Sequence, residues 1–412
     1  MLFAKILIVI LMSTVVQDAP RSPDRPTRNR SVTPAVAVEE IEITPEGIDE
    51  AIKKSVQILL SRQEGPGNAE WPYEGVYRVR GSGPREFISR GAIIPLGYRI
   101  GGTSIAGMAL INADGLGEDQ PRKEALERAR NFVVASTADP TMTHEYDGGY
   151  DVRGWGYIYG LRFLVAMKAK GLVPEDSIEA HDEAMQFYLD GMTAIEIPDV
   201  GGWNYARRGP LDSPSAASPF MTAPGLQALI EAKALGLKVD DAMIARGYTA
   251  MELSRKNDGH VAYSAQAQTR ESSRMLPGAI GRMVAMETVR MQGGRGNAED
   301  TRRAVSAFCE HWNELLKRKS KNGTHDPPYG VAPYYFFYAH GYAAEAIEQL
   351  PEEERGEWRA KLLALMFSVR EDDDSWNDRV FPRSKAYGTA TALQVLTQPK
   401  SANAPQWTAD VK

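Results

Sequence analysis

Arg370-Glu371-Asp372-Asp373-Asp374-Ser375-Trp376, followed by Tyr387-Gly388-Thr389-Ala390-Thr391-Ala392-Leu393, decides the fold. The first stretch is a turn: acidic and small residues end one helix and reverse the chain, leaving a tryptophan to pack between neighbours. The second is a helix with small or apolar residues on nearly every face, a pattern that fits a helix surrounded by protein. Ahead of both lies a charged amphipathic run that starts at Pro351. This unit of charged helix, turn and apolar helix returns six times. The charged members begin near Gly47, Pro121, Ile178, Val239, Asn297 and Pro351, and the apolar ones near Gly97, Gly154, Phe220, Arg274, Pro333 and Lys385. Successive units lie 54 to 74 residues apart, room for two helices and their connections.

The turns are the most alike part of each unit. Ser61-Arg62-Gln63 runs on to Glu70-Trp71-Pro72-Tyr73, and later units supply Asp147-Gly148-Gly149-Tyr150, Gly201-Gly202-Trp203-Asn204-Tyr205 and Asp258-Gly259-His260-Val261-Ala262-Tyr263. The recurring aromatic reads as a fastener between units. In the charged helix from Pro121, residues Ala125, Leu126, Ala129, Phe132 and Val133 recur at intervals of three and four, so one face is buried and the other wet. Glycines in the apolar helices, each costing about 1 kcal/mol against alanine, read as permitting close helix approach. Six buried helices inside six amphipathic ones give a closed double ring.

Composition agrees with a folded chain. The 412 residues are 43% hydrophobic and 25% charged, and a net charge of -6 gives no footprint for nucleic acid. The single Cys309 excludes an intrachain disulfide and a cysteine-cluster metal site, and it reads as a structural thiol within a helix. At the N-terminus Lys5 precedes an apolar run from Ile6 to Val16, short for a membrane span and suited to a secretory signal. Export, to the periplasm or the medium, is the expectation. Gln17 and Asp18 before Ala19-Pro20 give no clean cleavage site, so an uncleaved N-terminal membrane anchor is the alternative. The division expected is a signal or anchor over 1–19, a Pro-, Arg- and Ser-rich linker over 20–45, the helical domain over 46–398 and a flexible tail over 399–412.

The six helix pairs, the turns similar to a Gln…Gly-Ser-Trp pattern (Gln63…Trp71, Gly202-Trp203, Asp374-Ser375-Trp376) and the inner segment Tyr387–Leu393 resemble the prenyltransferase and squalene-oxidase repeat. The resemblance covers about residues 46 to 398. It implies an all-α fold, the α/α toroid of the terpenoid cyclase and protein prenyltransferase superfamily, with a central cavity that ligands enter from the end where inner helices begin. The chain departs from the family's chemistry. It has no Asp-x-Asp-Asp acid motif; Val239-Asp240-Asp241 opens an outer helix and Asp372-Asp373-Asp374 sits in a turn. Cys309 and His311, two residues apart on an outer helix, point to different faces and do not make the transferase zinc site. The Cys and Gln of a thioester turn are also missing, and neither a metal nor another cofactor is expected.

Functional residues are sought at the starts of inner helices. The richest cluster there runs from His144 to Tyr157: His144 or Tyr146 as a general base beside Asp147, Arg153 as an anion anchor, and Trp155 and Tyr157 as a platform for a ring or apolar chain. The bland alternative is that Asp147-Gly148-Gly149-Tyr150 is one more fastener. Trp203, Tyr205 and Arg207 precede the third inner helix, Arg274 opens the fourth, and Asp326 leads to Tyr334 and Tyr335 in the fifth; these are ligand-binding candidates. His340 reads as a satisfied core histidine. The extra stretch Val76 to Pro95 in the first unit reads as a hairpin or lid, or as an ordinary loop insertion. The function expected is binding of a ligand, isoprenoid or otherwise hydrophobic, in the central cavity. One alternative is a polysaccharide lyase or glycoside-active enzyme with a polymeric substrate, in which His144, Tyr146, Arg153 and Arg207 supply base and cations. The other is a noncatalytic protein-binding scaffold. Whether the protein is an enzyme, and its oligomeric state, are not legible.

Overall fold

Whether a helix is striped or apolar all round decides which of two rings it joins. The computed structural model describes residues 43–73, 88–89, 92–145, 152–204, 210–213, 215–264, 273–321, 327–379, 381–400 and 405–407, all within the unit Val38–Lys412. Among these residues there are twelve α-helices. The outer six are α1 (Pro45–Ser61), α3 (Gln120–Ala135), α5 (Ile178–Ala194), α7 (Asp241–Ser254), α9 (Ala298–Leu316) and α11 (Glu352–Phe367). The inner six are α2 (Leu96–Asn112), α4 (Arg153–Ala169), α6 (Pro219–Ala234), α8 (Ile280–Gln292), α10 (Tyr335–Ile347) and α12 (Ser384–Thr397). In α9 the buried residues Thr301, Ala304, Val305, Phe308, Trp312 and Leu315 follow the three-four spacing of one face. In α2 every residue from Ile100 to Ile111 is buried.

Packing closes the inner series on itself. Each inner helix lies against the next, from α2 through α4, α6, α8, α10 and α12, and α12 lies back against α2. Each later outer helix packs on the inner helix that precedes it in the chain, whereas α1, which has none before it, packs on α12. The seam is reinforced by Arg383 Nε donating to Glu64 Oε1 at 2.6 Å and by an Arg62–Asp373 pair at 3.6 Å.

Eleven helices start within two residues of the positions read from the sequence. The fourth inner helix is the exception. It begins at Ile280, not near Arg274, because Ser273–Gly278 is a tighter 3-10 stretch and Pro277 within it has no N–H for an α-helical ladder. Asp240 accepts a hydrogen bond from Ala242 N at 2.9 Å and caps α7, the structural use expected of it. The tail is a correction. Trp407, only 5% exposed, stacks on Tyr248 with centroids 5.6 Å apart, and its N–H groups donate to Gln292 O and Asp241 Oδ1. Pro405–Trp407 is therefore anchored, because between α7 and α8 the indole finds apolar area and one acceptor and the backbone N–H finds another. In the first-unit insertion, β1 (Ile88–Ser89) pairs antiparallel with β2 (Ala92–Ile93), while Val76-Tyr77-Arg78-Val79-Arg80 lies outside the described residues. So does the apolar run Ile6–Val16; no described helix is long and apolar enough to cross a membrane.

Three turns are fastened by one device. The indole N–H of Trp71, Trp203 and Trp376 donates to a carbonyl in the last turns of the preceding outer helix, Leu59, Met192 and Met366, at 2.7, 2.9 and 2.9 Å. The backbone N–H of the same tryptophans donates to a threonine hydroxyl in the following inner helix, Thr103, Thr222 and Thr389, at 2.9, 3.1 and 3.2 Å. Gln63 adds a tie to α3 through Ala125 O at 2.9 Å. The glycine before Thr103 and that before Thr389 have a purpose other than helix-helix approach. A Cβ on Gly102 or Gly388 would stand 2.4 Å from the carbonyl oxygen of Trp71 or Trp376, so glycine lets the turn backbone lie on the helix.

Candidate functional site

Contacts between inner helices that are not neighbours identify what lies in the lumen. Phe220 of α6 meets Tyr338 of α10 with centroids 4.3 Å apart, across the gap beside α8. At the end where inner helices begin, Phe220 also touches Trp155 (5.6 Å), Tyr334 (5.1 Å) and Tyr335 (5.0 Å). Tyr73, two residues after the first fastening tryptophan, reaches Tyr387 (4.5 Å), Trp155 (6.0 Å) and Tyr98 (6.3 Å). These rings form a packed aromatic layer. Trp155, Tyr334 and Tyr335 of the sequence-derived set are thus brought together around Phe220.

That layer borders a buried acid the sequence reading passed over. Asp378 is fully buried, and its Oδ2 accepts from the Tyr73 hydroxyl at 3.2 Å while Oδ1 has no partner. Burial pushes its carboxyl up to about 7, against the opposing charge of neighbouring Arg379. Two guanidinium nitrogens of Arg379, Nε and Nη1, are likewise buried without a partner.

Four residues further along each helix the character changes. Tyr159 follows Trp155, Tyr338 follows Tyr334 and Tyr342 follows Tyr338, the spacing that keeps one helix face on the axis. Together with Tyr387, Phe337, Ile105 and Met108, they line a cavity of about 120 Å³ at the C-terminal ends of the inner helices. Its rim carries Asn112, Gln394 and Gln398, and Arg162 and Glu345 form its polar wall. Arg162 donates twice to Glu231, at 2.7 and 2.9 Å, and once to Gln227 Oε1 at 3.0 Å. Across the lumen, Gln227 Nε2 donates to Glu345 Oε2 at 2.6 Å and the Tyr342 hydroxyl donates to Gln227 Oε1 at 3.0 Å. Burial raises the Glu345 carboxyl, partly offset by Arg162. Burial also opposes the charge of Arg162, but Glu231 more than compensates and the guanidinium is held above its ordinary value. The Tyr338 hydroxyl has no hydrogen-bond partner.

The remaining expected residues gather elsewhere. His144 packs against Phe187 of outer helix α5 (4.4 Å) and Tyr157 (5.7 Å), away from the lumen contacts. Arg153 Nη1 donates to the carbonyls of Thr143 and Glu145, and the Tyr157 hydroxyl to those of Met142 and Thr143. The trio holds the 142–145 segment onto α4 and α5. Trp203 is one of the fasteners. Tyr146, Asp147, Tyr205, Arg207 and Asp326 lie outside the described residues, and Arg274 is described by its backbone alone. His340 is buried and neutral: its Nε2 accepts from Trp312 Nε1 at 2.9 Å, its Nδ1 lies 2.7 Å from Phe336 O, and burial lowers its pKa to about 4. Cys309 is half-buried, with burial pushing the thiol up to about 11. Among the described residues no group of three His, Cys, Asp or Glu is placed to hold a metal.

With two concentric helical rings and a lined axis in place, solved structures can be compared. A type II terpene cyclase from Scytonema is similar over 86% of this chain and 98% of its own, with a TM-score of 0.50 at 14% identity. The fold is the α/α toroid. An inactive variant of an alpha-1,6-mannanase from Salegentibacter sp. HEL1_6, in complex with alpha-1,6-mannotriose, shares the toroid over 85% of this chain and 98% of that one (TM-score 0.53, 11% identity). A possible member of the GH105 family from Klebsiella pneumoniae covers 92% and 99% (TM-score 0.50, 11% identity). At such identities the likeness is one of fold, and the toroid serves unrelated chemistries in these neighbours. No family model matches the chain, and no curated protein matches it.

Proposed function

We propose that this toroid binds a small ligand on its axis, in the cavity at the C-terminal ends of the inner helices. The observation that carries the reading is the lining: an apolar and aromatic wall of Tyr159, Tyr338, Tyr387, Phe337, Ile105 and Met108, with Arg162 and Glu345 at fixed places in it. A concave, mostly apolar site with a few convergent polar groups is the usual form of a small-molecule site. The hydrophobic ligand read from the sequence is narrowed to one whose apolar part lies against these rings. The N-terminal aromatic layer, packed around Phe220, serves as the floor beneath the ligand.

Two measurements test this. Protein purified in its native state and extracted for mass spectrometry should yield a stoichiometric small molecule, or a fragment screen should give ligands that raise its melting temperature. Tyr338→Trp should fill the cavity and abolish that response, while Gln349→Ala leaves it unchanged. Absence of a co-purifying molecule, together with fragment responses indifferent to Tyr338→Trp, would rule the reading out.

A further inference from the structure

We infer that the axial cavity takes an organic ammonium cation, a reading that rests on the cavity being a ligand site and adds the charge class of its ligand. Three independent features point the same way. The first is charge. Arg162 is the one cation and Glu345 the one anion among the described lining residues, and Arg162 is already committed to Glu231 behind it through two hydrogen bonds. One guanidinium against two carboxylates leaves the layer with one negative charge in excess. Glu345 accepts a side-chain hydrogen bond only at Oε2, from Gln227. A half-buried carboxylate held among rings is costly unless a cation approaches it or it takes up a proton.

The second feature is the set of rings. Tyr159, Tyr338, Tyr342, Tyr387 and Phe337 surround the same space as Glu345. Faces of aromatic rings carry negative quadrupole charge, and a cage of several rings around a carboxylate is the arrangement that recognises alkylated ammonium groups, whose charge is spread over methyl or methylene carbon. The third is the backbone. The cavity lies where α2, α10 and α12 end, so the partial negative ends of three helix dipoles converge on it. An anion would face these dipoles, Glu345 and the ring faces at once, with only the engaged Arg162 in its favour.

The size restricts the ligand further. A cavity of about 120 Å³ admits the cationic head, and any longer chain leaves past Asn112, Gln394 and Gln398 at the rim.

Titration of the full chain by calorimetry with tetramethylammonium and choline chlorides, against sodium chloride and the uncharged isostere 3,3-dimethylbutan-1-ol, decides the matter. Saturable binding of both cations, at least tenfold tighter than the alcohol and weakened at least tenfold in Glu345→Gln, is the expected result. Glutamine keeps the acceptor for Gln227, so the variant should fold, which its melting temperature checks; Tyr387→Leu, removing one ring, should weaken the cations more than the alcohol. If the alcohol binds as well as the cations and Glu345→Gln changes neither, the charge class is wrong while a ligand site remains. An anion such as acetate binding more tightly than the cations overturns the inference equally. If no probe binds, the cavity holds water only and the ligand-site reading fails with it.

Discussion

At one end of the lumen Asp378 is shut among rings, touched by the Tyr73 hydroxyl and bordered by Arg379; at the other, Glu345 faces a cavity and is tied into a relay through Gln227, Arg162 and Glu231. Both carboxyls are raised by burial. The difference lies in what surrounds them. At the Asp378 end, fastening tryptophans and glycines draw the turns tightly onto the inner helices, and the rings of the aromatic layer pack at tilted and edge-on angles across the axis. At the Glu345 end the inner helices finish, Trp407 ties only α7 and α8, and around the cavity long polar side chains span the opening. A toroid built this way has one end whose turns are tied down and one end where the helices finish around a cavity.

The comparison can be broken most severely from the fastened side. Trp376→Ala removes a fully buried indole and strands the Met366 carbonyl, and it should cost about 3–5 kcal/mol in denaturant-induced unfolding, whereas Gln394→Ala at the rim should stay within about 0.5 kcal/mol. If the two cost the same, the contrast between the ends is false. Arg162→Met should come next: it leaves Glu231 and Glu345 facing each other without their cation, at about 3 kcal/mol near neutral pH. Most of that loss should vanish as pH falls and the Glu345 carboxyl, which burial already raises, takes up a proton, and a loss independent of pH would show that the relay is packing alone.

Asp378 gives a sign opposite to that of an exposed, paired carboxylate. Its folded value of about 7 lies above its ordinary 3.8, so the folded state holds the proton more tightly and the stability it contributes falls as pH rises between about 4 and 7. Asp378→Asn should remove up to about 1.4 kcal/mol per pH unit of slope in that window, read from unfolding midpoints at a series of pH values. The smallest effect sharpens the picture of the cavity. Tyr338→Phe deletes a hydroxyl with no partner and should change stability by less than about 1 kcal/mol, while Tyr157→Phe, which loses two carbonyl contacts, should be the more destabilising of the pair.

The ring was legible in the sequence because its signals are local. The stripe on α9, the all-round apolar character of α2 and α12, and the tryptophan turns each sit within one unit, so the helix starts could be placed within two residues in eleven cases. The lumen was legible only in part. Trp155, Tyr334 and Tyr335 were reachable because they open inner helices. Arg162, Glu231 and Glu345 were not, since they stand late in three different helices and meet across sequence separations of 69 and 118 residues through Arg162–Glu231 and Gln227–Glu345. A signal for them existed: each is a charged residue embedded in an otherwise apolar inner helix, a placement that needs a buried partner. His144 and Arg153 drew attention for the opposite reason. Their stretch is rich in polar and aromatic side chains, but Arg153 and Tyr157 are taken up by carbonyls of the 142–145 segment and His144 packs against the Phe187 and Tyr157 rings.

The seating of α1 on α12 has a consequence for how the chain is made. Ala51, Ile52, Val56 and Leu59 form the buried face of α1, and the helix they cover, Ser384–Thr397, is the last one in the sequence. Contacts at this seam, such as Tyr73–Asp378 and Glu64–Arg383, join residues 305 and 319 positions apart. On a chain emerging from its N-terminus, the first helix therefore keeps an uncovered apolar stripe through nearly the whole of synthesis, and the ring closes only when its final segment arrives.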